Sequence, residues 1–71
     1  MITQAQQELV RKFGTLCELS PDVRVGQLMA HLGFLAEDMF GRGLWEVEDE
    51  QLLAVIERHR RELVARKTNV A

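Results

Sequence analysis

Two breaks divide the 71-residue chain into three segments of helical length. The first break is Ser20-Pro21-Asp22, where proline disfavours a helical conformation of the preceding residue and the neighbouring residues favour a turn. The second break is Gly41-Arg42-Gly43, which stands where a glycine ends a helix in the left-handed conformation. Three segments with such short connections predict an all-α fold, a small antiparallel three-helix bundle.

Each segment repeats its apolar residues at helical spacing, and none alternates as a strand does. We predict helices over about residues 3–19, 24–40 and 48–66, with Thr3 as an N-cap and residues 67–71 fraying. The expected core sector of the second helix is Val25, Leu28, Met29, Leu32, Leu35, Ala36 and Met39. The expected stripe of the third is Leu52, Leu53, Ile56 and Leu63, with Val55, His59, Arg60 and Val64 at its margins.

Composition limits the class of protein. A chain of this length is a single small domain that buries roughly 60% of its unfolded surface, and a 46% share of hydrophobic residues excludes a disordered tail. The single cysteine, Cys17, cannot form an internal disulfide and favours a reducing, cytoplasmic location. No apolar run approaches a membrane span of about 20 residues, and the first residues do not read as a signal peptide.

Charge is unevenly distributed around a formal net charge of −2. Residues 46–57 carry five acids and no base, whereas residues 58–71 carry five bases and one acid. The acids Glu48, Asp49 and Glu50 suit the positive end of a helix dipole, and Gln51 can complete a capping box with the cap residue. The cluster lacks the glycine and ligand spacing of a calcium loop, so we interpret it as a helix start. Opposite charges four residues apart line the outer face of the third helix, namely Glu57–Arg61, Arg58–Glu62 and Glu62–Arg66.

Residues 44–47 connect the second and third helices. We predict a brief extended link in which Trp45 and Val47 turn inward and close one end of the core. Trp45→Ala is then expected to destabilise the fold strongly.

The residue types that usually carry chemistry are few and scattered. One cysteine and two histidines give no zinc-binding spacing. The helical wheel places His31 at the surface, His59 at the edge of the core and Cys17 on an apolar stripe as a structural thiol. We therefore expect no catalytic residue, no metal ligand and no cofactor.

The candidate interaction surface is more specific. Phe34 lies opposite the core sector of its helix, where it is either a bundle contact or an exposed contact anchor. Arg60 lies within the apolar sector of the third helix, so its stem can cover the core while its head reaches solvent or an acid of another helix. The full set of candidate residues is Gln27, His31, Phe34, Arg58, Arg60 and Arg61.

Two motifs resemble a family of short uncharacterised bacterial and phage-associated proteins. The motifs are P-D-x-R-x-G-Q-L, here residues 21–28, and W-x-V-E-D-E-x-L-L, here residues 45–53. The resemblance extends over about residues 21–64 and implies a self-contained helical domain without an assigned catalytic residue. Where relatives often carry asparagine, this chain carries His31.

The leading functional hypothesis is a non-enzymatic protein that acts by protein–protein contact, as an adaptor or a homodimer. Expected surplus apolar surface at Phe34, Phe40, Val55 and Val64 supports it. The alternative is nucleic-acid binding by a helix-turn-helix-like pair, the second and third helices, with phosphate contacts from the arginine-rich end of the third. The connection of residues 41–47 is longer than the usual turn of that motif.

Overall fold

The computed structural model describes residues 1–68, with the side chains of residues 1–66. Within that range the chain forms three helices, α1 (Gln4–Leu19), α2 (Val25–Phe40) and α3 (Asp49–Thr68), and no strand. The predicted three-helix bundle is confirmed. Helix α3 continues two residues past its expected end, and the predicted fraying of residues 69–71 lies outside the described residues. No helix in the described part has both the length and the apolarity that crossing a membrane requires.

Short-range polar contacts explain why the helix boundaries were predictable. At α1 the Gln6 amide donates to Thr3 Oγ1 at 3.1 Å, and the Thr3 amide donates to Gln6 Oε1 at 2.8 Å. At α3 the Glu48 amide donates to Gln51 Oε1 at 3.0 Å, as the capping prediction requires. Gly41 ends α2 with φ of 67°, and its amide donates to the Glu37 carbonyl at 2.9 Å. These signals lie within a few residues of each boundary, so the local sequence determines them.

Helix α3 is the central element of the bundle. It packs against α1 and, less extensively, against α2, whereas α1 and α2 make little contact with each other. The side chains that α3 and its neighbours bury form one cluster. Its members are Leu16, Leu28, Leu32, Leu35, Ala36, Val55, Ile56 and Leu63.

The separation of α1 from α2 corrects the predicted core sectors. Val25 and Met29, expected in the core, are exposed, because α1 does not cover the side of α2 on which they lie. Val55, expected at a margin of α3, is completely buried. A helical wheel identifies the apolar side of a helix, but it does not show how much of that side the neighbouring helices cover.

The prediction for the link was wrong for Trp45, which is 98% exposed. Residues 44–46 form a turn, in which the amides of Glu46 and Val47 donate to the Gly43 carbonyl at 2.9 and 3.2 Å. An extended link would place Trp45 and Val47 on the same side. The turn instead directs Leu44 and Val47, three residues apart, onto the core and leaves Trp45 in solvent.

Candidate functional site

The first candidate site is an apolar groove between α1 and α2, with the first half of α3 as its floor. Its volume is about 410 Å³, and all eight side chains that line it are apolar. They are Leu9, Val10, Phe13, Met29, Leu32, Leu44, Leu52 and Ile56. The groove exists because α3 holds the two outer helices while these barely meet.

Exposed apolar side chains border the groove. Val10 is 69% exposed and Met29 is 46% exposed, although both line it. Leu44 lines the groove as well, and the next residue is the exposed Trp45. An apolar surface of this kind, next to a solvated indole, is typical of a protein contact site.

The second candidate site, the histidine pocket, lies beside the last half of α3. It has a volume of about 280 Å³ and is lined by residues of α2, α3 and the α1–α2 connection. The ring centroids of His31 and His59 are 4.4 Å apart, with the ring planes inclined by 52°. The lining residues are Ser20, Val23, Gln27, Leu28, His31, His59, Leu63 and Arg66.

Two polar atoms, one on His59 of the histidine pocket and one on Glu62 beside His59, are buried without a hydrogen-bond partner among the described residues. His59 is 5% exposed, and its Nδ1 lies 3.6 Å from Glu62 Oε1, beyond hydrogen-bond distance. Neither atom has a hydrogen-bond partner among the described residues. Burial lowers the pKa of His59 below its ordinary value and the nearby His31 lowers it further, while Glu62 acts in the opposite direction. The folded protein thus favours a neutral His59, whose ring keeps a free lone pair.

The predictions for the two histidines met different outcomes. His59 is buried at the α3 stripe, in agreement with a place in or beside the core. His31 was expected at the surface and is instead half-buried against His59. The correction has the same origin as the exposure of Met29. The α2 face that packs on α3 is rotated toward His31 relative to the apolar sector of the wheel.

The arginines of α3 are engaged by carboxylates. Arg58 donates to Asp38 Oδ2 of α2 at 3.1 Å and lies 4.0 Å from Glu62 Oε2. Arg60 donates through Nε to Glu57 Oε2 at 3.0 Å, a partner on its own helix rather than on another one. This contact lowers the pKa of Glu57. Two of the three arginines in the predicted interaction surface, Arg58 and Arg60, therefore have carboxylate partners within the folded chain.

The remaining members of the predicted surface do not form one site. Phe34 is 69% exposed, which favours the contact-anchor interpretation of this residue. Gln27 lines the histidine pocket, and its Oε1 accepts from the Arg24 amide at 3.1 Å. Arg61 is exposed. Of the expected surplus apolar surface, Val64 is exposed, whereas Phe40 packs partly on the core and Val55 is completely buried. Cys17, expected on an apolar stripe, packs partly on the core.

Sequence reasoning missed two functional candidates, Trp45 and Glu62. Glu62 was considered only for ion pairs four residues apart, although its spacing of three from His59 places both on one helix face. That spacing could have identified Glu62 from the sequence. The proximity of His31 to His59 could not be predicted from the sequence, since it depends on how α2 and α3 cross.

Comparison of the chain with protein-family models, curated proteins and solved structures finds no match. The resemblance of the two sequence motifs therefore stays an expectation.

Proposed function

We propose that this is a non-enzymatic, cytoplasmic protein that acts by protein–protein contact, and that the groove receives Trp45 from a second copy of the chain. The observation that carries the proposal is the pairing of an all-apolar groove with a 98% exposed tryptophan that directly follows the groove residue Leu44 in the chain. Contact between the indole and water is unfavourable, and burial of the indole against an apolar partner surface is therefore favourable.

The chemistry of the two surfaces is complementary. An indole buries about 150–250 Å² of surface and is among the side chains most often found at the energetic centre of interfaces. The groove, at about 410 Å³, is large enough for an indole and presents only apolar side chains to it. Val10 and Met29, which line the groove, are also exposed and offer apolar surface to a partner.

The arrangement favours two-fold symmetry. Leu44 belongs to the groove, and Trp45 follows it in the chain, so the residue that supplies the inserting side chain is adjacent in sequence to a residue of the receptor. A two-fold axis beside this part of the chain lets each copy donate one indole and accept one. Such an interface is closed and self-complementary, as homodimer interfaces usually are.

The size of the contact sets the expected strength. Two indoles and the surfaces that cover them bury on the order of 800 Å² in total, at the weak end of specific interfaces. We therefore expect a reversible dimer, populated increasingly from about 10 µM to about 1 mM.

Sedimentation equilibrium over that concentration range tests the proposal, together with the fluorescence of the single tryptophan. The expected result is a monomer–dimer equilibrium, with an emission maximum that moves to shorter wavelength in proportion to the dimer fraction. A monomer at all concentrations, or a dimer whose emission stays that of a solvated indole, would refute the proposal.

Variants locate the interface. Trp45→Ala removes the inserting side chain and Met29→Glu places a charge in the groove, so each variant alone should be monomeric. Mixing the two variants restores one indole–groove contact and should give weak hetero-association. Phe34→Ala, which removes the other strongly exposed aromatic, is the matched control and should dimerise like the parent protein. Loss of the dimer in the control, with retention in the other two, would assign the interface to the outer face of α2.

A further inference from the structure

His31, His59 and Glu62 form a compact group of potential metal ligands. One ligand atom from each residue lies within 4.8 Å of the other two. His59 and Glu62 are three residues apart on one face of α3, and His31 approaches from α2. The group is therefore assembled across two packed helices rather than by a local sequence motif, as bundle metal sites often are.

The distances are near those of a coordination sphere. Bonds of about 2.0–2.1 Å in a tetrahedral site place ligand atoms roughly 3.3–3.5 Å apart. The 3.6 Å separation of His59 Nδ1 and Glu62 Oε1 is close to this value. Rotation of the half-buried His31 ring supplies the remaining movement, since the widest separation in the group is no more than 4.8 Å.

The two α3 ligands are unsatisfied without a cation. His59 Nδ1 and Glu62 Oε1 are both buried and have no hydrogen-bond partner among the described residues. In neutral His59 with an unprotonated Nδ1, two electron-rich atoms face each other at 3.6 Å. Leaving a buried polar atom unpaired costs about 1–3 kcal/mol. A cation between the two atoms would satisfy both.

The carboxylate has a charged neighbour outside the group. Arg58 lies 4.0 Å from Glu62 Oε2 and is itself anchored to Asp38 of α2 at 3.1 Å. Glu62 thus engages Arg58 through one oxygen and presents the other to the histidines. Outer contacts that orient a ligand are a regular feature of metal sites.

We propose that His31, His59 and Glu62 bind a divalent transition-metal ion of the Zn²⁺ class, with a water molecule at the remaining position. Two imidazoles and one carboxylate suit zinc, whereas calcium and magnesium prefer oxygen ligands alone. Two of the three ligands, His31 and His59, line the histidine pocket together with Gln27, Ser20 and Arg66. The site joins α2 to α3 and is independent of the groove.

The test uses the full chain without a polyhistidine tag, titrated with Co²⁺ and then displaced with Zn²⁺ at pH 7.5. Co²⁺ in a tetrahedral nitrogen–oxygen site gives visible absorption bands, so the spectrum reports coordination directly. The expected result is saturation at one equivalent, loss of the bands on adding Zn²⁺, and a higher melting temperature with Zn²⁺. Absence of saturable binding would overturn the proposal. Saturable binding that gives only the weak bands of octahedral Co²⁺ would overturn it as well.

Three variants assign the ligands. Glu62→Gln, His31→Ala and His59→Leu should each weaken Zn²⁺ binding at least about tenfold. Glu18→Gln on α1 is the matched carboxylate control and should bind like the parent protein, as should Trp45→Ala. Circular dichroism confirms that each variant is folded, and Glu62→Gln, at a half-exposed position, retains shape if a histidine variant does not fold. Unchanged affinity in the folded ligand variants would place the metal elsewhere and refute the site.

Discussion

The two halves of α3 carry one continuous stripe but face opposite kinds of surface. Leu52 and Ile56 form the floor of an entirely apolar groove, whereas His59, one turn later, faces a pocket whose lining mixes apolar, polar and charged side chains. Leu63 then returns the stripe to the core. Burial is set by position on the helix and is similar for Ile56 and His59. The difference lies in whether the buried atoms find partners, and it separates a structural position from a candidate site.

The largest expected effect is at the groove floor. Ile56→Ala should lower the free energy of unfolding by about 3 kcal/mol, because it removes a side chain that is 2% exposed and leaves a cavity in the core. Urea denaturation monitored by circular dichroism gives this value. Val10→Ala at the exposed border of the same groove is the control and should change stability by less than about 0.5 kcal/mol. Equal effects would mean that the groove closes in solution.

The sequence predicted features that depend on local contacts and did not predict those that depend on how the helices pack. Helix boundaries were predicted to within a residue or two because Thr3, Gly41 and Gln51 act on backbone groups nearby. The exposed Met29 and the half-buried His31 were predicted wrongly, since both depend on where α1 and α3 lie around α2. The prediction of an extended link at residues 44–46 was wrong for another reason. Hydrogen bonds to the Gly43 carbonyl, rather than apolar alternation, determine which side chains face inward.

Acid should lower the free energy of unfolding through His59 in the histidine pocket, whereas the apolar side chains that line the groove do not titrate. Burial and His31 lower the pKa of His59, with Glu62 opposing and Arg66 assisting, so the unfolded chain takes up a proton more readily. Stability is full above the ordinary histidine pKa of about 6.5 and falls as pH decreases below it, until folded His59 is protonated as well. Each unmatched proton changes stability by at most about 1.4 kcal/mol per pH unit.

Metal-free protein, with a chelator present, is required for that measurement. Urea denaturation at several pH values between about 7.5 and 5 gives the slope. His59→Leu is the reference, because it keeps the apolar packing and removes the titrating group. A slope unchanged by this substitution would show that His59 is not the group responsible.

The same substitution at neutral pH sharpens the contrast with Ile56. His59→Leu should leave the stability of the metal-free protein unchanged or raise it by up to about 1 kcal/mol. It replaces a buried, unpartnered nitrogen with apolar volume and improves helix propensity. The two substitutions on the same stripe, Ile56→Ala and His59→Leu, are therefore not expected to change the free energy of unfolding in the same direction. The first lowers it, and the second leaves it unchanged or raises it. A loss above about 2 kcal/mol would indicate that the imidazole makes stabilising contacts in the folded state.

The smallest expected effect is at Trp45. Trp45→Ala should change the free energy of unfolding of the monomer by less than about 0.5 kcal/mol, because the indole is 98% exposed and covers none of the core. Denaturation at low micromolar concentration, where the dimer is dissociated, isolates this effect. Leu44→Ala, at the adjacent residue that packs on the core, is the control and should cost about 2 kcal/mol. A cost of about 3 kcal/mol at Trp45 would place the indole inside its own chain, and the groove would then need a different occupant.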